Sequence, residues 1–394
     1  MLHANKTNSL TLFNSVGLLL FLLLASCKTA TVTSINPEPL FHDDLFPDYQ
    51  QLLVESEQEV FAIGKDVTNF VDKKLKNIDK PEEQIEAFAE AIFHHSDLNL
   101  LYQNDANTVA SATFKNRAAN CLSLTIMTYA MADYAGFGVR FQQVDTPELW
   151  VRREGSSVLN RHVNLRLFAK TQDNVIIYSS KQYQLDFDRE IQSLRLPVKL
   201  INKKRVLAMF YNNKGAEALL KEDYQRAYSY FRASLVTAPT LIEALSNFGV
   251  LYSRIGEQEY AEKIYQQALE LDEDDYTILE NLAYTYKMTG REQDAEQISQ
   301  RVDRLRQGNP YYHFMLGEVA YEKQQWQQAI DHFKQSVRLN KNQHEFYFSI
   351  ARSYYKLGDV EQAKLYLVRA KKHTQDDNSE HLYQSKIDRL TDLQ

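Results

Sequence analysis

The sequence contains little cysteine, glycine and proline. Its 394 residues include 2 cysteines, 12 glycines and 8 prolines. No cysteines or histidines follow the spacing of a zinc site, and no glycine-rich segment has the pattern of a phosphate-binding loop, so we expect no metal or nucleotide cofactor. Scarce glycine and proline favour a mostly helical chain, because these residues are the poorest helix formers. A formal net charge of −7 argues against a nucleic-acid partner, because the phosphate backbone binds basic surfaces.

An apolar segment near the N-terminus ends at one of the two cysteines. Lys6 precedes the run Val16–Leu24, which is too short to span a bilayer comfortably. Ala25 and Ser26 follow the run, and Cys27 comes directly after them. Small residues before a cysteine, immediately after an apolar run, resemble the lipobox of bacterial lipoproteins.

The lipobox resemblance implies that residues 1–26 are a signal peptide, which is removed before Cys27 is lipidated. The lipid would anchor the protein to a membrane of the bacterial cell envelope. Lys28 rather than aspartate follows the cysteine, which by analogy with enteric bacteria favours the outer membrane, facing the periplasm. A plain signal peptide or a short membrane anchor is the alternative. Residues 27–51 lack periodicity after the cysteine, and we expect this segment to be a tether.

The second cysteine lies at the start of a predicted helix. Asn120 is a favourable N-cap, and Gly136 suits the position after the last turn. Free backbone N–H groups and the helix dipole stabilise a thiolate at Cys121. If Cys27 is lipidated, Cys121 is a lone thiol in an oxidising compartment. That arrangement favours a nucleophile, and an inert buried cysteine is the alternative.

After Gly136 the sequence alternates between apolar and polar residues, which predicts strands. The predicted strands cover residues 138–144, 161–168, 175–178 and 183–188. His162 and Asn164 share the polar face of the second strand, and Asp186 and Asp188 share the polar face of the last. A cysteine on a helix therefore precedes a histidine and an aspartate on strands.

This order resembles the transglutaminase-like superfamily, which shares its core with papain-like cysteine proteases. The segments Arg117–Leu124 and Ala135–Val144 are similar to bacterial members that are fused to helical repeats. The resemblance implies that Cys121 is the nucleophile, His162 the base, and Asp186 the residue that orients the imidazole. The implied reaction is attack of the thiolate on an amide, followed by a thioester intermediate and its release to water or an amine.

The aspartate has two candidates. We favour Asp186 over Asp188 because its apolar neighbours indicate a more buried setting, in which an acid holds an imidazole better. Asn164 stands two residues after His162, where many members of the superfamily have an aromatic residue. A scaffold that descends from such enzymes and has lost its activity is the alternative to a working enzyme.

Helices are predicted between the tether and Cys121. The apolar residues at 61–71 suit one helix, and Pro81–Phe93 suits a second, with proline and acidic residues in its first turn. His94 and His95 follow directly, and we expect them to cap the C-terminal end of the second helix.

A period of 34 residues begins near residue 208. Two positions of this period are small in every copy, namely Gly215, Gly249, Ala283, Gly317 and Ala351, and Ala227, Ala261, Ala295, Ala329 and Ala363. A large apolar residue follows the second small position at Phe231, Tyr265, Phe333 and Leu367, with Ser299 the exception. This pattern resembles the tetratricopeptide repeat (TPR), in which small residues let two helices cross closely. Val302 also departs from the pattern, so the third repeat is degenerate.

A TPR stack offers a concave groove lined by the first helix of each repeat. With repeats starting at 208, 242, 276, 310 and 344, the groove positions of the last two are Tyr311, Phe314, Glu318, Tyr321, Glu345, Phe348, Arg352 and Tyr355. Aromatic residues beside charges suit a protein or peptide segment, because aromatic anchors supply much of the binding energy. The alternative is that these residues pack between repeats.

The sequence therefore predicts a mostly helical chain in which an α+β transglutaminase-like domain precedes an all-α TPR solenoid. The expected segments are a signal peptide at 1–26, a lipidated tether at 27–51, the transglutaminase-like domain at 52–205, five repeats at 206–377 and a capping helix at 378–394. One hypothesis is an envelope enzyme that acts on protein or peptide amides chosen by the groove. The other is a catalytically inactive TPR adaptor for envelope protein complexes.

Overall fold

The computed structural model describes residues 35–93, 98–103, 106–144, 162–169, 182–187, 198–374 and 377–392. Several predictions fall outside these residues, namely those on the signal peptide, Cys27, His94, His95, Asp188 and the strand 175–178. Within the described ranges, no helix combines the length and the apolar character needed to cross a bilayer.

The N-terminal part begins with helices that surround one central helix. They are α1 (Glu57–Phe61), α2 (Lys65–Leu75), α3 (Pro81–Phe93), α4 (Ala110–Asn116) and the central α5 (Cys121–Tyr134). The prediction of one helix across residues 61–71 was wrong, because the chain is extended at Gly64 (φ −89°, ψ 176°), where α2 starts. Apolar residues of α1 and α2 enter the same core, so their spacing alone does not reveal the break.

Three of the predicted strands and one that was not predicted form a small antiparallel sheet. Its strands are β3 (Gly138–Val144), β4 (Val163–Phe168), β5 (Tyr183–Leu185) and the strand that was not predicted, β6 (Val198–Ile201), in the order β5-β4-β3-β6. Two shorter strands, β1 (Leu101–Tyr102) and β2 (Ala118–Ala119), pair in parallel just before α5. Helix α5 packs on the sheet through stacking of Tyr129 on Phe141, with ring centroids 4.7 Å apart. The Thr125 hydroxyl also donates a hydrogen bond of 3.2 Å to the Val163 carbonyl.

Five helix pairs follow the sheet with the predicted period, and the mostly helical TPR architecture is confirmed. The pairs are α6 (Lys203–Leu220) and α7 (Tyr224–Thr237), α8 (Ile242–Arg254) and α9 (Gln258–Leu271), α10 (Tyr276–Met288) and α11 (Glu292–Gln307), α12 (Pro310–Glu322) and α13 (Trp326–Leu339), and α14 (His344–Lys356) and α15 (Val360–His373). A last helix, α16 (Asp377–Asp392), packs against α15.

The small residues allow close crossing of the two helices in a repeat. A Cβ atom added to Gly249 would lie within 3.0 Å of three ring atoms of Tyr265, and the same conflict arises between Gly215 and Phe231. The third repeat lacks such a pair, because Ala283 and Ser299 stand at these two positions of the period. The apolar core also divides there into two clusters, one ending near Ala295 and the other starting at Phe314. The degenerate repeat is thus a weak point in the continuity of the core.

Residues 35–51 pack against the first two repeats, so the prediction that they form a tether was wrong. Leu40 and Phe46 are buried, and Phe46 stacks on Tyr228 with centroids 4.1 Å apart. The Asp43 carboxylate accepts a hydrogen bond of 2.6 Å from the Tyr228 hydroxyl. The segment lacks helical or strand periodicity because it runs in short 3-10 turns, and its aromatic residues provide the packing.

The sheet also contacts the repeats directly. The Gln143 side chain on β3 donates a hydrogen bond of 3.4 Å to Glu243 on α8 and accepts one of 3.3 Å from Arg205 on α6. Gln143 and Glu243 are both buried. The sheet of the N-terminal domain and the first helix of the second repeat therefore share an interface.

Candidate catalytic site and repeat groove

The start of α5 is held by side-chain and backbone hydrogen bonds. The Asn120 side-chain oxygen accepts a hydrogen bond of 2.9 Å from the Ser123 backbone N–H, as expected for an N-cap. The Asn120 amide also donates to the Asn107 side chain. These contacts place Cys121 on the first turn, where its side chain is buried with 6% of the residue exposed.

The structure brings His162 and Asp186 into direct contact. His162 precedes β4 and is held by its carbonyl, which accepts a hydrogen bond of 2.9 Å from the Val144 N–H. The His162 Nε2 atom lies 2.6 Å from the Asp186 Oδ1 atom. Both residues are buried, with 5% and 3% of their surfaces exposed. The Asp186 carboxylate therefore lies on the Nε2 side of the His162 imidazole.

His162 also interacts with Cys121, and both Cys121 and Asp186 shift the pKa of His162. Burial disfavours the imidazolium, but the hydrogen bonds with Asp186 and Cys121 and the charges of these groups raise the pKa of His162 to about 10. Since Nε2 faces Asp186, Nδ1 is the ring nitrogen left for the contact with Cys121. The three residues therefore form one chain of contacts in the order Cys121, His162 and Asp186.

A fourth residue, Asn164, belongs to this arrangement. Its side-chain amide donates a hydrogen bond of 2.8 Å to the second Asp186 oxygen, Oδ2, and none of its surface is exposed. Asn164 lies opposite Gln142 in the register of β3 and β4. The alternation of the strand predicts that Asn164 shares a face with His162 but indicates no role for it; the shared face was the signal that could have found this contact.

The described residues contain no group of three or more histidine, cysteine, aspartate or glutamate side chains that could hold a metal ion. The arrangement at Cys121 instead suits nucleophilic chemistry, because a thiol, an imidazole and a carboxylate contact one another in series.

The last two repeats carry the predicted groove residues. The Glu318 carboxylate pairs with the Arg352 guanidinium, and the guanidinium lies over the Tyr321 ring at 4.1 Å from its centroid. The Tyr311 hydroxyl accepts a hydrogen bond of 2.6 Å from the Gln343 side chain. Tyr355 is half exposed, at 50%. These residues form a surface of aromatic rings around an ion pair.

Phe314 does not belong to this surface. Only 6% of it is exposed, and its ring centroid lies 5.0 Å from that of Phe346 and 5.5 Å from that of Phe333. It therefore packs between the helices of adjacent repeats, which was the alternative for the whole set. Phe348 is partly covered as well, because Tyr383 of α16 lies 5.4 Å from it, centroid to centroid.

One residue of the third repeat was missed in the prediction of the groove. Tyr284 is 57% exposed and precedes the groove residue Glu318 by one period of 34 residues. The period itself was the signal that could have found it.

Comparisons with known protein families agree with the repeat architecture. Models of the tetratricopeptide repeat match residues 242–275 and 264–297. The model of the anaphase-promoting complex, cyclosome, subunit 3 matches residues 288–370. Residues 242–370 therefore carry both the family matches and the structural period, and this part of the chain consists of TPRs.

Individual relatives resemble the chain over part of its length. Superkiller protein 3 of Schizosaccharomyces pombe is 26% identical over 154 residues, which cover 37% of this chain and 11% of the relative. Photosystem I assembly protein Ycf3 of Prochlorococcus marinus is 31% identical over 94 residues, which cover 23% of this chain and 54% of the relative. The chain thus spans about a tenth and about half of these relatives. A solved structure of pilF from Pseudomonas aeruginosa is 21% identical to this chain. The match covers 48% of this chain and 87% of the pilF chain, with a TM-score of 0.26.

Proposed function

We propose that this protein is a scaffold that binds a segment of a partner protein in the concave groove of its TPRs. The matches to TPR family models support this proposal, as does the assembly role that the name of Ycf3 states for that relative. The observation that carries it is the row of exposed or half-exposed groove residues in the last three repeats, including Tyr284 and Tyr355.

The chemistry of the groove suits an extended segment with apolar side chains. Exposed tyrosine rings bury a large area with little loss of side-chain entropy, so a few of them can dominate binding. The Glu318–Arg352 pair holds the Arg352 guanidinium over Tyr321, which keeps both side chains in place before a partner arrives. Preorganisation of this kind lowers the entropic cost of binding.

Affinity capture from an envelope extract tests the scaffold proposal. The Tyr284→Ala/Tyr355→Ala variant should recover at least tenfold less of the partners that the wild-type protein captures. The matched control is Leu365→Ala/Val368→Ala, which removes side chains of similar exposure from α15, a second helix of a repeat. Equal recovery by the groove variant and the wild type, or equal loss in the control, would contradict a groove-based scaffold.

A second candidate function is acyl transfer at Cys121, and a separate observation favours it. The contact chain from Cys121 through His162 to Asp186 supports the resemblance to transglutaminase-like enzymes. In this mechanism the Cys121 sulfur attacks the carbonyl carbon of an amide, and His162 donates a proton to the departing amine. Water or a second amine then attacks the thioester and gives its proton to His162, which restores the thiol.

Incorporation of a fluorescent primary amine into proteins of an envelope extract tests the second function. Labelling should require the wild-type chain and be lost in Cys121→Ser and His162→Gln. Release of ammonia or a peptide amine without labelling would indicate hydrolysis. If neither product exceeds that of Cys121→Ser, the acyl-transfer proposal is wrong and the scaffold proposal is unaffected.

We also propose that Cys27 is lipidated and anchors the protein to the bacterial envelope, in the outer membrane and facing the periplasm. The lipobox pattern supports this proposal. Metabolic labelling with a fatty acid should mark the wild-type protein and not Cys27→Ser, and the label should sediment with the outer membrane. Labelling of both proteins, or of neither, would contradict it.

A further inference from the structure

The groove ends at a cavity to which the proposed function assigns no occupant. It lies between α14, α15 and α16 and has a volume of roughly 280 Å³. Helix α16 continues the period of the repeats there, since Lys386 follows Arg352 by 34 residues and Arg389 follows Tyr355 by the same interval. Helix α16 therefore occupies the place of the first helix of a sixth repeat, and it adds groove positions at the C-terminal end of the stack.

The cavity combines an apolar interior with cations. Its buried wall consists of Ala351, Ala363, Leu367 and Leu390, each at most 8% exposed. The rings of Phe348 and Tyr355 form the more exposed side. The charged residues that line it are Arg352, Lys386 and Arg389, and none of the described aspartate or glutamate residues lines it.

Two of the three cations form no ion pair within the described part of the chain. Arg352 pairs with Glu318, whereas Lys386 and Arg389 form no ion pair with any residue in the described ranges. The Lys386 ammonium lies over the Phe348 ring, 5.6 Å from its centroid, so it is held at the cavity. The site therefore attracts an anion at the position where the apolar wall begins.

We propose that this cavity binds the C-terminal residue of a partner peptide, with an apolar side chain inside and the α-carboxylate between Lys386 and Arg389. The volume is at the small end of ligand cavities, so it suits one side chain rather than a larger molecule. A glutamate or aspartate side chain would carry its charge into the apolar interior, which is costly. A C-terminal leucine carries both groups on one Cα atom. The inference rests on the proposed groove function, because it defines where the bound segment ends.

N-acetyl-L-leucine is the simplest probe of this site, because it mimics a C-terminal leucine. Binding to the full chain can be followed by saturation-transfer difference NMR. We expect N-acetyl-L-leucine to bind at least fivefold more tightly than N-acetyl-L-leucinamide, which lacks the charge, and N-acetylglycine, which lacks the side chain. Equal affinity for the acid and the amide would overturn the proposal.

Charge-removing variants locate the binding. Lys386→Gln/Arg389→Gln should reduce the affinity for N-acetyl-L-leucine at least fivefold and leave that for the amide unchanged. The control Lys341→Gln/Lys372→Gln removes two exposed lysines elsewhere in the repeats and should change neither affinity. Circular dichroism at 222 nm verifies that each variant is folded. Unchanged binding of the acid in Lys386→Gln/Arg389→Gln would also overturn the proposal.

The capture experiment separates this inference from the scaffold proposal. If Tyr284→Ala/Tyr355→Ala loses the captured partners while Lys386→Gln/Arg389→Gln retains them and binds N-acetyl-L-leucine normally, the C-terminal anchor is wrong and the scaffold stands. If the fragment binds as expected but the Tyr284→Ala/Tyr355→Ala variant captures partners normally, the scaffold proposal fails instead.

Discussion

A glycine-to-alanine substitution in the second repeat tests whether a small residue on one helix is needed opposite a large side chain on the other. In Gly249→Ala the new Cβ would meet three atoms of the Tyr265 ring within 3.0 Å, and ordinary contact needs 3.4 Å or more. Tyr265 is 1% exposed, so its ring cannot move into solvent. Overpacking of this kind costs about 1–3 kcal/mol, and alanine in a helix interior regains about 0.5–1 kcal/mol. We expect a net loss of about 1–2 kcal/mol.

The fifth repeat suggests the compensating change, because the buried Ala351 and Leu367 occupy the positions that a glycine and an aromatic residue occupy in the second repeat. Tyr265→Leu alone should cost about 2 kcal/mol through the cavity it leaves. In the double variant Gly249→Ala/Tyr265→Leu the methyl group fills part of that cavity. We expect a total loss at least about 1 kcal/mol smaller than the sum of the single losses, which is a favourable coupling.

Urea unfolding followed by circular dichroism at 222 nm measures these free energies. Gly308→Ala is the matched control, because its added Cβ would meet only the Leu305 and Arg304 carbonyl oxygens, at 3.5 and 3.7 Å. It should not destabilise the protein. Strict additivity of the two single variants, or a loss in Gly308→Ala equal to that in Gly249→Ala, would refute the small–large matching of the helices.

The period of the repeats could be predicted because close helix crossing places the same demand on each copy. The prediction missed contacts that carry no period. Residues 35–51 are irregular, and their packing depends on rings such as Phe46 and on partners almost 200 positions away. The polar alternation predicted that His162 and Asp186 lie on strands, whereas His162 directly precedes β4 and Asp186 directly follows β5. The Asn164 contact depends on strand register, which alternation does not fix. Phe314 was assigned to the groove because helical spacing does not distinguish the groove from the edge of the core.

Three further predictions concern Ser299, Asn164 and His162. Ser299→Leu should stabilise the protein by about 1 kcal/mol in urea unfolding, because position 299 corresponds to Leu367 of the fifth repeat and leucine there adds buried apolar surface. No gain would contradict the small–large pattern of the repeats. Asn164→Ala should cost about 1–3 kcal/mol, because it removes a buried donor to Asp186, and an unchanged urea midpoint would contradict that contact. The pKa of His162 is raised from 6.5 to about 10 in the folded protein. The stabilisation that results is fully present below pH 6.5 and is lost as the pH rises to about 10. Between these pH values the wild-type protein should therefore lose more free energy of unfolding than His162→Gln, and equal losses in urea unfolding would contradict the contacts of His162 with Asp186 and Cys121.

The most direct test of the linked Cys121, His162 and Asp186 contacts is alkylation of Cys121 by iodoacetamide. In a Cys27→Ser background Cys121 is the single thiol, so mass spectrometry reports its rate without interference. The arrangement predicts labelling of the folded protein near neutral pH and at least tenfold slower labelling in His162→Ala, with both proteins folded by circular dichroism. Labelling that occurs only after unfolding, or at the same rate in both proteins, would contradict a reactive cysteine and leave the protein as a TPR scaffold.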